Sequence, residues 1–231
     1  MSTNLSGNTL TLGSTSLNEE TLKALKSYYY IPDNCKAGDT VILDGIECLC
    51  VATGVTIQGS NLTRIAIDKN YDLGYYQKYV GININGATVD YIREWIWGGY
   101  ETLLGNTSQE VGYGLQNTIN CLANSVSYTN GTAANNETTY NRSFLWIGVN
   151  DFRSSHSDKW FVPSINELLN YVYPYRSSLT FDKTTGGHSA GSYISSSEAA
   201  SHAYYEFSFN TGSAIKADKS GRSLIRLCRA F

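Results

Sequence analysis

Apolar and polar positions alternate along the chain in short runs, and they predict a domain rich in antiparallel strands. The clearest run covers residues 41–51, where apolar residues flank an Asp44-Gly45 pair. Asp-Gly supplies the positive φ values of a two-residue turn, so this segment predicts a β-hairpin. Residues 62–68 predict a further strand.

Towards the C-terminus the chain alternates without any helical spacing. Tyr205, Phe207 and Phe209 share one parity and predict a strand side that faces the core. The other parity, which the pleat turns to the opposite side, consists of Tyr204, Glu206 and Ser208. Turn signals then separate two more strands, expected over 213–217 and 224–229. We therefore expect the chain to end in a three-stranded meander.

Helical signals are fewer than strand signals. Residues 16–19 and 164–167 both have the spacing of a capping box, in which a hydroxyl and a carboxylate satisfy free amides at a helix start. They predict one helix over 18–27 and a second that ends at Pro174. Further helices are expected over 89–95, 115–122 and 143–152.

The composition is that of a globular chain without the marks of a nucleic-acid or membrane protein. Apolar residues make up 42% of the 231 residues and aromatic residues 13%, enough to bury a core. The net charge is −3, and no basic run carries interleaved aromatics, which argues against nucleic acid as a partner. No segment reaches the roughly 20 apolar residues of a membrane span, so no membrane insertion is expected. Residues 1–13 lack the basic start and apolar core of a signal peptide, so we expect synthesis in the cytoplasm.

The five cysteines stand at irregular spacing. An odd number without a regular pattern does not indicate a disulfide framework in a chain of this length. We expect reduced thiols, although Cys48 and Cys50 point the same way along one predicted strand and leave a pair of facing thiols open. The five are Cys35, Cys48, Cys50, Cys121 and Cys228.

Three segments of the second half resemble one known family. Residues 159–168, KWFVPSINEL, resemble the Trp-x-Leu-Pro-Thr-x-x-Glu-Leu segment of C-type-lectin-like domains related to the formylglycine-generating-enzyme fold. Residues 193–198, YISSSE, are similar to the Tyr-Trp-Ser-Ser-Thr-Glu segment that follows it. Residues 225–231, IRLCRAF, resemble the family's closing Val-Arg-x-x-Arg strand.

The resemblance implies an α+β, C-type-lectin-like fold in which two helices pack against small antiparallel sheets. Its nearest members are phage and bacterial variable proteins of diversity-generating retroelements, which vary residues between the serine-rich strand and the final strand. It implies a domain over 31–231 with a variable ligand-binding region at about 193–225, preceded by an attachment or oligomerisation segment over 1–30. Ile194 stands where the family usually has Trp, which indicates a changeable position.

On this interpretation the chain is a non-enzymatic binding protein whose partner is a protein or glycan ligand on a cell surface. It would act on a virion, docked into a phage tail assembly, or on a cell surface through a partner, and a homo-oligomer is compatible with either location. Two alternatives stay open: a structural component of a phage tail or baseplate, and an adhesin of fixed glycan specificity.

Signs of catalysis or of a bound cofactor are weak. Formylglycine-generating enzymes use a redox-active cysteine pair in the C-terminal region, where this chain has only Cys228. The Glu-Pro-Asn loop of calcium-dependent sugar-binding lectins is missing, and the histidines (His156, His188 and His202) lack metal-ligand spacing. We expect no cofactor and no metal, with a calcium site of another design left open.

Two pairs of residues carry expectations about the core. Trp160 and Leu168 belong to the strand and the capped helix that the motif predicts, so both are expected to be buried. Arg226 and Arg229 have opposite parity on the predicted closing strand, so at most one faces outwards. The inward one is expected to bind loop carbonyls.

The expected ligand-binding residues lie on the face opposite Tyr205, Phe207 and Phe209. Cross-strand neighbours share a face, and positions close by in the chain join them. We expect these side chains to be exposed and exchangeable with little loss of stability. The set is Ile194, Ala199, His202, Tyr204, Glu206, Ser208, Ser213, Ile215, Ala217 and Ser220.

Overall fold

A computed structural model of the chain describes residues 4–6, 9–12, 15–16, 19–70, 82–84, 87–89, 103–127, 144–181, 191–219 and 223–231. The helices are α1 (Glu19–Tyr28), α2 (Gly114–Ser127), α3 (Phe144–Ser155) and α4 (Ile165–Glu167). The strands are β1 (Asn4–Ser6), β2 (Thr9–Leu12), β3 (Thr15–Ser16), β4 (Thr40–Leu43), β5 (Ile46–Thr53), β6 (Arg64–Asp68), β7 (Ile82–Ile84), β8 (Ala87–Val89), β9 (Trp160–Phe161), β10 (Ser192–Ala200), β11 (Ala203–Ser208), β12 (Ser213–Asp218) and β13 (Cys228–Ala230). Helices and antiparallel sheets occur together, which confirms the α+β class.

The predicted hairpin is confirmed as the pair β4–β5. Its two-residue turn places Asp44 at φ 55° and Gly45 at φ 79°. Positive φ at both central positions is the geometry that matches the right-handed twist of the flanking strands. The turn therefore follows directly from the Asp-Gly pair.

Most predicted helices are found, with shifted ends. The capping box at Ser164 is confirmed: the Ser164 hydroxyl accepts from the Glu167 amide, and the Glu167 carboxylate accepts from the Ser164 amide. The predicted end of this helix at Pro174 is wrong, because the helical path continues as a π turn (Leu168–Val172) and a 3-10 segment (Tyr173–Ser178). Pro174 lies in the first turn of the 3-10 segment, where a missing N–H costs little. Of the helix expected over 89–95, Val89 ends β8 and the rest lies outside the described residues.

The predicted closing strand over 224–229 joins the meander only at Leu224, which forms a parallel bridge with Tyr193, and its remainder lies elsewhere, which corrects the prediction. Among the described strands the meander is β10-β11-β12, and β13 lies in a five-stranded sheet of order β4-β5-β6-β13-β9. Cys228 of β13 is paired with Ile67 on one side and Phe161 on the other. The final strand therefore connects the N-terminal hairpin sheet to the strand that precedes α4.

The core consists of two clusters of buried side chains. One cluster contains Trp160 and Tyr204, and the other contains Phe161 and Phe207. Successive residues of a strand point to opposite faces, so β9 and the meander are packed on both faces. The predicted burial of Trp160 and Leu168 is confirmed.

The three segments that resemble C-type-lectin-like domains contact one another. Trp160 of the first is paired with Arg229 of the third in the β9–β13 ladder. The Ser196 amide, in the second, donates to the Pro163 carbonyl oxygen of the first at 2.9 Å. Residues far apart in the chain thus form one continuous structural unit.

Arg226 and Arg229 are both buried. The Arg226 guanidinium donates to the carbonyl oxygens of Thr180 and Lys69, and it lies 4.5 Å from the centre of the Phe181 ring. This confirms that the inward arginine holds loop carbonyls. Arg229 donates instead to the Asp44 carboxylate at 2.8 Å.

Helix α1 is joined to the hairpin rather than separated from it. The Gly45 amide donates to the Tyr28 carbonyl oxygen at 2.7 Å, and Tyr30 and Ile42 exchange two backbone hydrogen bonds of 2.8 Å. Leu22 of α1 is buried. An attachment role for residues 1–30 stays a prediction, but α1 itself is packed against the domain. Within the described residues, no helix is both long and apolar enough to span a bilayer.

Candidate ligand-binding surface

The face predicted to bind a ligand is largely interior, which corrects the expected exposure. The prediction that Tyr204 and Phe207 lie on opposite sides of the strand is confirmed, since Tyr204 lies in one core cluster and Phe207 in the other. However, Tyr204 belongs to the same buried cluster as Trp146 of α3, so the side that was expected to face solvent is interior. A strand in the middle of a sheet can be buried on both faces, and alternation alone does not exclude this. The buried members of the predicted set are Ile194, Tyr204, Glu206, Ser208 and Ala217.

The remaining predicted residues do not form one patch. His202 and Ser213 are exposed, whereas Ala199 and Ile215 are half-buried. The β11–β12 register puts His202 and Ser213 at opposite ends of the strand pair, since Ser208 faces Ser213 and Ala203 faces Asp218. At about 3.3 Å per residue, the two ends are roughly 17 Å apart. Ser220 lies outside the described residues.

Strand β12 is the exposed edge of the meander. Ser213, Ala214 and Lys216 are exposed, whereas Ala217 turns inwards and is buried. The Lys219 amide donates to the His202 carbonyl oxygen at 2.9 Å. In an antiparallel pair every second residue forms the backbone hydrogen bonds, so the odd-numbered residues of β12 bond to β11. The backbone groups of Ala214, Lys216 and Asp218 therefore point away from β11. Within the described residues this edge carries no further paired strand.

Glu206 is a buried carboxylate with an unequal set of partners. Its Oε1 accepts from the Tyr204 hydroxyl at 2.5 Å and from the Ser223 hydroxyl. Its Oε2 has no hydrogen-bond partner in the described structure. Ile194 and Ile215 stand opposite Glu206 on the two neighbouring strands, so apolar side chains flank the carboxylate. The sequence pattern predicts the side of the strand on which Glu206 lies, but it does not predict that this side is buried.

The Glu198 side chain, a second acid with little exposure, holds the loop before α2 against the meander. Glu198 accepts from the Leu104 amide at 2.8 Å and the Gly105 amide at 2.9 Å, and it forms an ion pair with Lys219. The side chains of Glu198 and Lys219 are 4% and 0% exposed, so solvent screens this pair very little. In the sequence, Glu198 stands out only as the last residue of the YISSSE segment, and no local signal indicates Lys219 as its partner.

Glu167 is the third buried acid with a structural role. One carboxylate oxygen accepts from the Gly112 amide at 2.9 Å and the Gly114 amide at 3.3 Å, and the other accepts from the Ser164 amide at 2.7 Å. Burial raises the pKa of Glu167 to about 7, although these amide hydrogen bonds act in the opposite direction. The carboxylate joins the start of α4 to the start of α2.

Four of the five thiols have a raised pKa. All five cysteines are reduced and buried. Burial raises the pKa of Cys48, Cys121 and Cys228 well above the ordinary value, and it raises that of Cys50 to about 12. The reactive species is the thiolate, so these four groups are mostly protonated at neutral pH and thiol exchange at them is slow. Among the described residues no group of three or more His, Cys, Asp or Glu side chains is placed to hold a metal ion. The absence of a metal requirement stays a prediction.

A separate groove of about 490 Å³ lies on the other sheet, beside β5. Tyr171 forms one wall. The pKa of its hydroxyl is raised, mainly by burial and to a smaller extent by the nearby Glu167 carboxylate. Residues 51–56, with Ala37 and Val111, form the remainder of the lining. None of the predicted site residues that the structure describes lines this groove.

Comparison with protein-family models finds no match for the chain, and no curated protein is significantly similar to it.

Proposed function

We propose that the chain is a non-enzymatic ligand-binding protein with a C-type-lectin-like fold. Its recognition surface is the exposed edge strand β12 with the turns at its two ends, around His202 and Asn210. The ligand is a protein or glycan on a cell surface, and the protein acts there as part of a virion or on a cell. The surface is hypervariable in the manner of retroelement-diversified proteins.

The observation that carries this proposal is the contrast between β12 and the strands behind it. Glu198 and Glu206, in β10 and β11, are held by hydrogen bonds to backbone amides and to hydroxyls, whereas Ser213, Ala214 and Lys216 are exposed. Exposed side chains on a rigid scaffold can be exchanged at a cost within about ±0.5 kcal/mol. Such an arrangement allows recognition to change while the fold is kept.

The mutual contact of the three resembling segments gives further support. They meet around Pro163 and Arg229, so the likeness is carried by one packed unit and not by scattered matches. The variable region that the resemblance implies, 193–225, includes all of β12. Within that region, β12 has exposed side chains at Ser213, Ala214 and Lys216.

The proposal is tested with purified full-length protein on a glycan array and, by flow cytometry, on intact bacterial cells. A Ser213→Glu/Lys216→Glu variant changes the exposed edge without touching the core. Its control, Lys23→Glu/Ser154→Glu, makes the same chemical changes at exposed positions of α1 and α3. We expect the first variant to lose binding and the control to keep it.

Other outcomes separate the alternatives. Binding that survives the β12 variant but is lost when Tyr171 is replaced by Ala would place recognition at the groove beside β5. A protein that binds no glycan and no cell, but co-assembles with phage tail proteins, would favour the structural role.

A further inference from the structure

Cys35 and Cys50 lie side by side although they belong to different segments. Cys35 is in the turn before β4, and Cys50 is in β5. The Gly38 amide donates to the Cys50 carbonyl oxygen at 2.8 Å, and the Cys50 amide donates to the Asp39 carbonyl oxygen at 2.9 Å. This loop therefore runs beside β5 at the position of Cys50.

The two thiols contact each other within one core cluster. After burial, interaction with the neighbouring Cys35 thiol is a further cause that raises the pKa of Cys50, and both residues belong to the cluster that contains Trp160. Cys50 has no exposed surface, whereas 6% of Cys35 is exposed. Cys35 is thus the member of the pair that a small reagent reaches first.

We propose that Cys35 and Cys50 form a disulfide when the protein meets an oxidising small-molecule disulfide of the glutathione type. The bond would fasten the loop before β4 to the middle of β5. This site does not depend on the proposed ligand binding.

The chemistry proceeds by two thiol–disulfide exchanges. The Cys35 sulfur, once deprotonated, attacks one sulfur of glutathione disulfide, which forms a mixed disulfide and releases one glutathione. The Cys50 thiol then loses its proton and attacks the Cys35 sulfur, which breaks the mixed disulfide and releases a second glutathione. Two electrons pass from the two cysteines to glutathione disulfide.

The other cysteines are placed less favourably. Cys48 is paired with Asp68 of β6, and Cys228 is paired with Ile67 on the far side of the same strand. Two strand spacings of about 4.8 Å separate Cys48 from Cys228, which exceeds the Cα separation of a disulfide. Cys48 and Cys50 are two positions apart on one strand, so their Cα atoms lie about 6.7 Å apart, near the upper limit for a disulfide. The pair that we propose is therefore Cys35 with Cys50.

The test is to incubate the full chain with glutathione disulfide or with dithiothreitol, followed by intact mass and peptide mapping under non-reducing conditions. We expect the oxidised protein to lose the mass of two hydrogen atoms, a peptide containing Cys35 to be linked to one containing Cys50, and the melting temperature to rise by several degrees.

Single variants report the order of the two steps. Cys50→Ala should retain one glutathione on Cys35, Cys35→Ser should retain none, and Cys121→Ala should form the bond as the wild type does. Should Cys50→Ala fail to fold, Cys35→Ser and the mapped wild type still decide the matter. Five free thiols after the incubation, or a bond between another pair, would overturn the proposal.

Discussion

Asp44 accepts a hydrogen bond from Arg229 Nε at 2.8 Å across 185 positions of sequence. The same oxygen, Oδ2, also accepts from Trp160 Nε1 at 2.8 Å. One carboxylate in a hairpin turn thereby holds β9 and β13, which are neighbours in the sheet. The side chains of Asp44 and Arg229 are each 10% exposed, so their charges are only weakly screened.

Asp44→Ala should therefore lower the free energy of unfolding by about 3–4 kcal/mol, because it leaves the buried Arg229 charge without its carboxylate partner and the Trp160 N–H without an acceptor. Asp44→Asn keeps an oxygen acceptor and a residue that tolerates positive φ, so its loss should be smaller. Glu47→Ala is the control, since the exposed Glu47–Lys69 pair is worth at most about 1 kcal/mol. Urea unfolding measures all three, and equal losses for Asp44→Ala and Glu47→Ala would refute this role.

Glu167 should make stability depend on pH. Its pKa in the folded protein is about 7, whereas an unfolded Glu titrates near 4.3. The folded state binds the proton more tightly, so this contribution is full below about pH 4.3 and is lost as the pH rises to about 7. We expect the free energy of unfolding to fall by roughly 3 kcal/mol across that window.

The Glu167 dependence is checked by denaturant unfolding at several pH values between 4 and 8. Glu167→Gln should be less stable throughout, because its amide group meets a backbone donor, but should lack the slope. The exposed Glu20→Gln change should keep it. A slope that persists in Glu167→Gln would assign the pH dependence to other groups.

Glu206 should be essential to the interior of the meander. Glu206→Ala leaves the Tyr204 and Ser223 hydroxyls without their acceptor and opens a cavity, so a loss of about 2–4 kcal/mol is expected. Glu206→Gln keeps one oxygen acceptor and removes a buried charge whose Oε2 has no partner, so stability should change by less than about 1 kcal/mol or rise. Thermal unfolding compares the two variants, and an unchanged midpoint for Glu206→Ala would mean that this face is exposed after all.

Adjacent residues of β12 should respond in opposite ways. Lys216 is exposed and Ala217 is buried against Tyr204. Lys216→Glu should change stability by no more than about 0.5 kcal/mol, whereas Ala217→Glu buries a charge and should cost more than about 3 kcal/mol. Circular dichroism of both variants during heating checks the face assignment. The reverse order of stability would show that the register of β12 is shifted by one residue.

Local features of this protein were predictable from its sequence. The Asp44-Gly45 turn, the Ser164–Glu167 capping box, the burial of Trp160 and the parity of Tyr204 against Phe207 all follow from backbone preferences and side-chain periodicity. Those preferences act within a few residues, so a short window contains the information that decides them.

The tertiary structure alone decided which faces are covered and which distant groups meet. Alternation assigns Tyr204 and Phe207 to opposite sides, but the Tyr204 side is buried because it packs into a cluster that also contains Trp146 of α3. Likewise, β13 joins β6 and β9 because those strands provide its hydrogen-bonding edges, and nothing within β13 itself specifies them. Contacts of this kind depend on the packing of segments from the whole chain. The physical reason is that burial is a property of the assembled layers and not of any one strand.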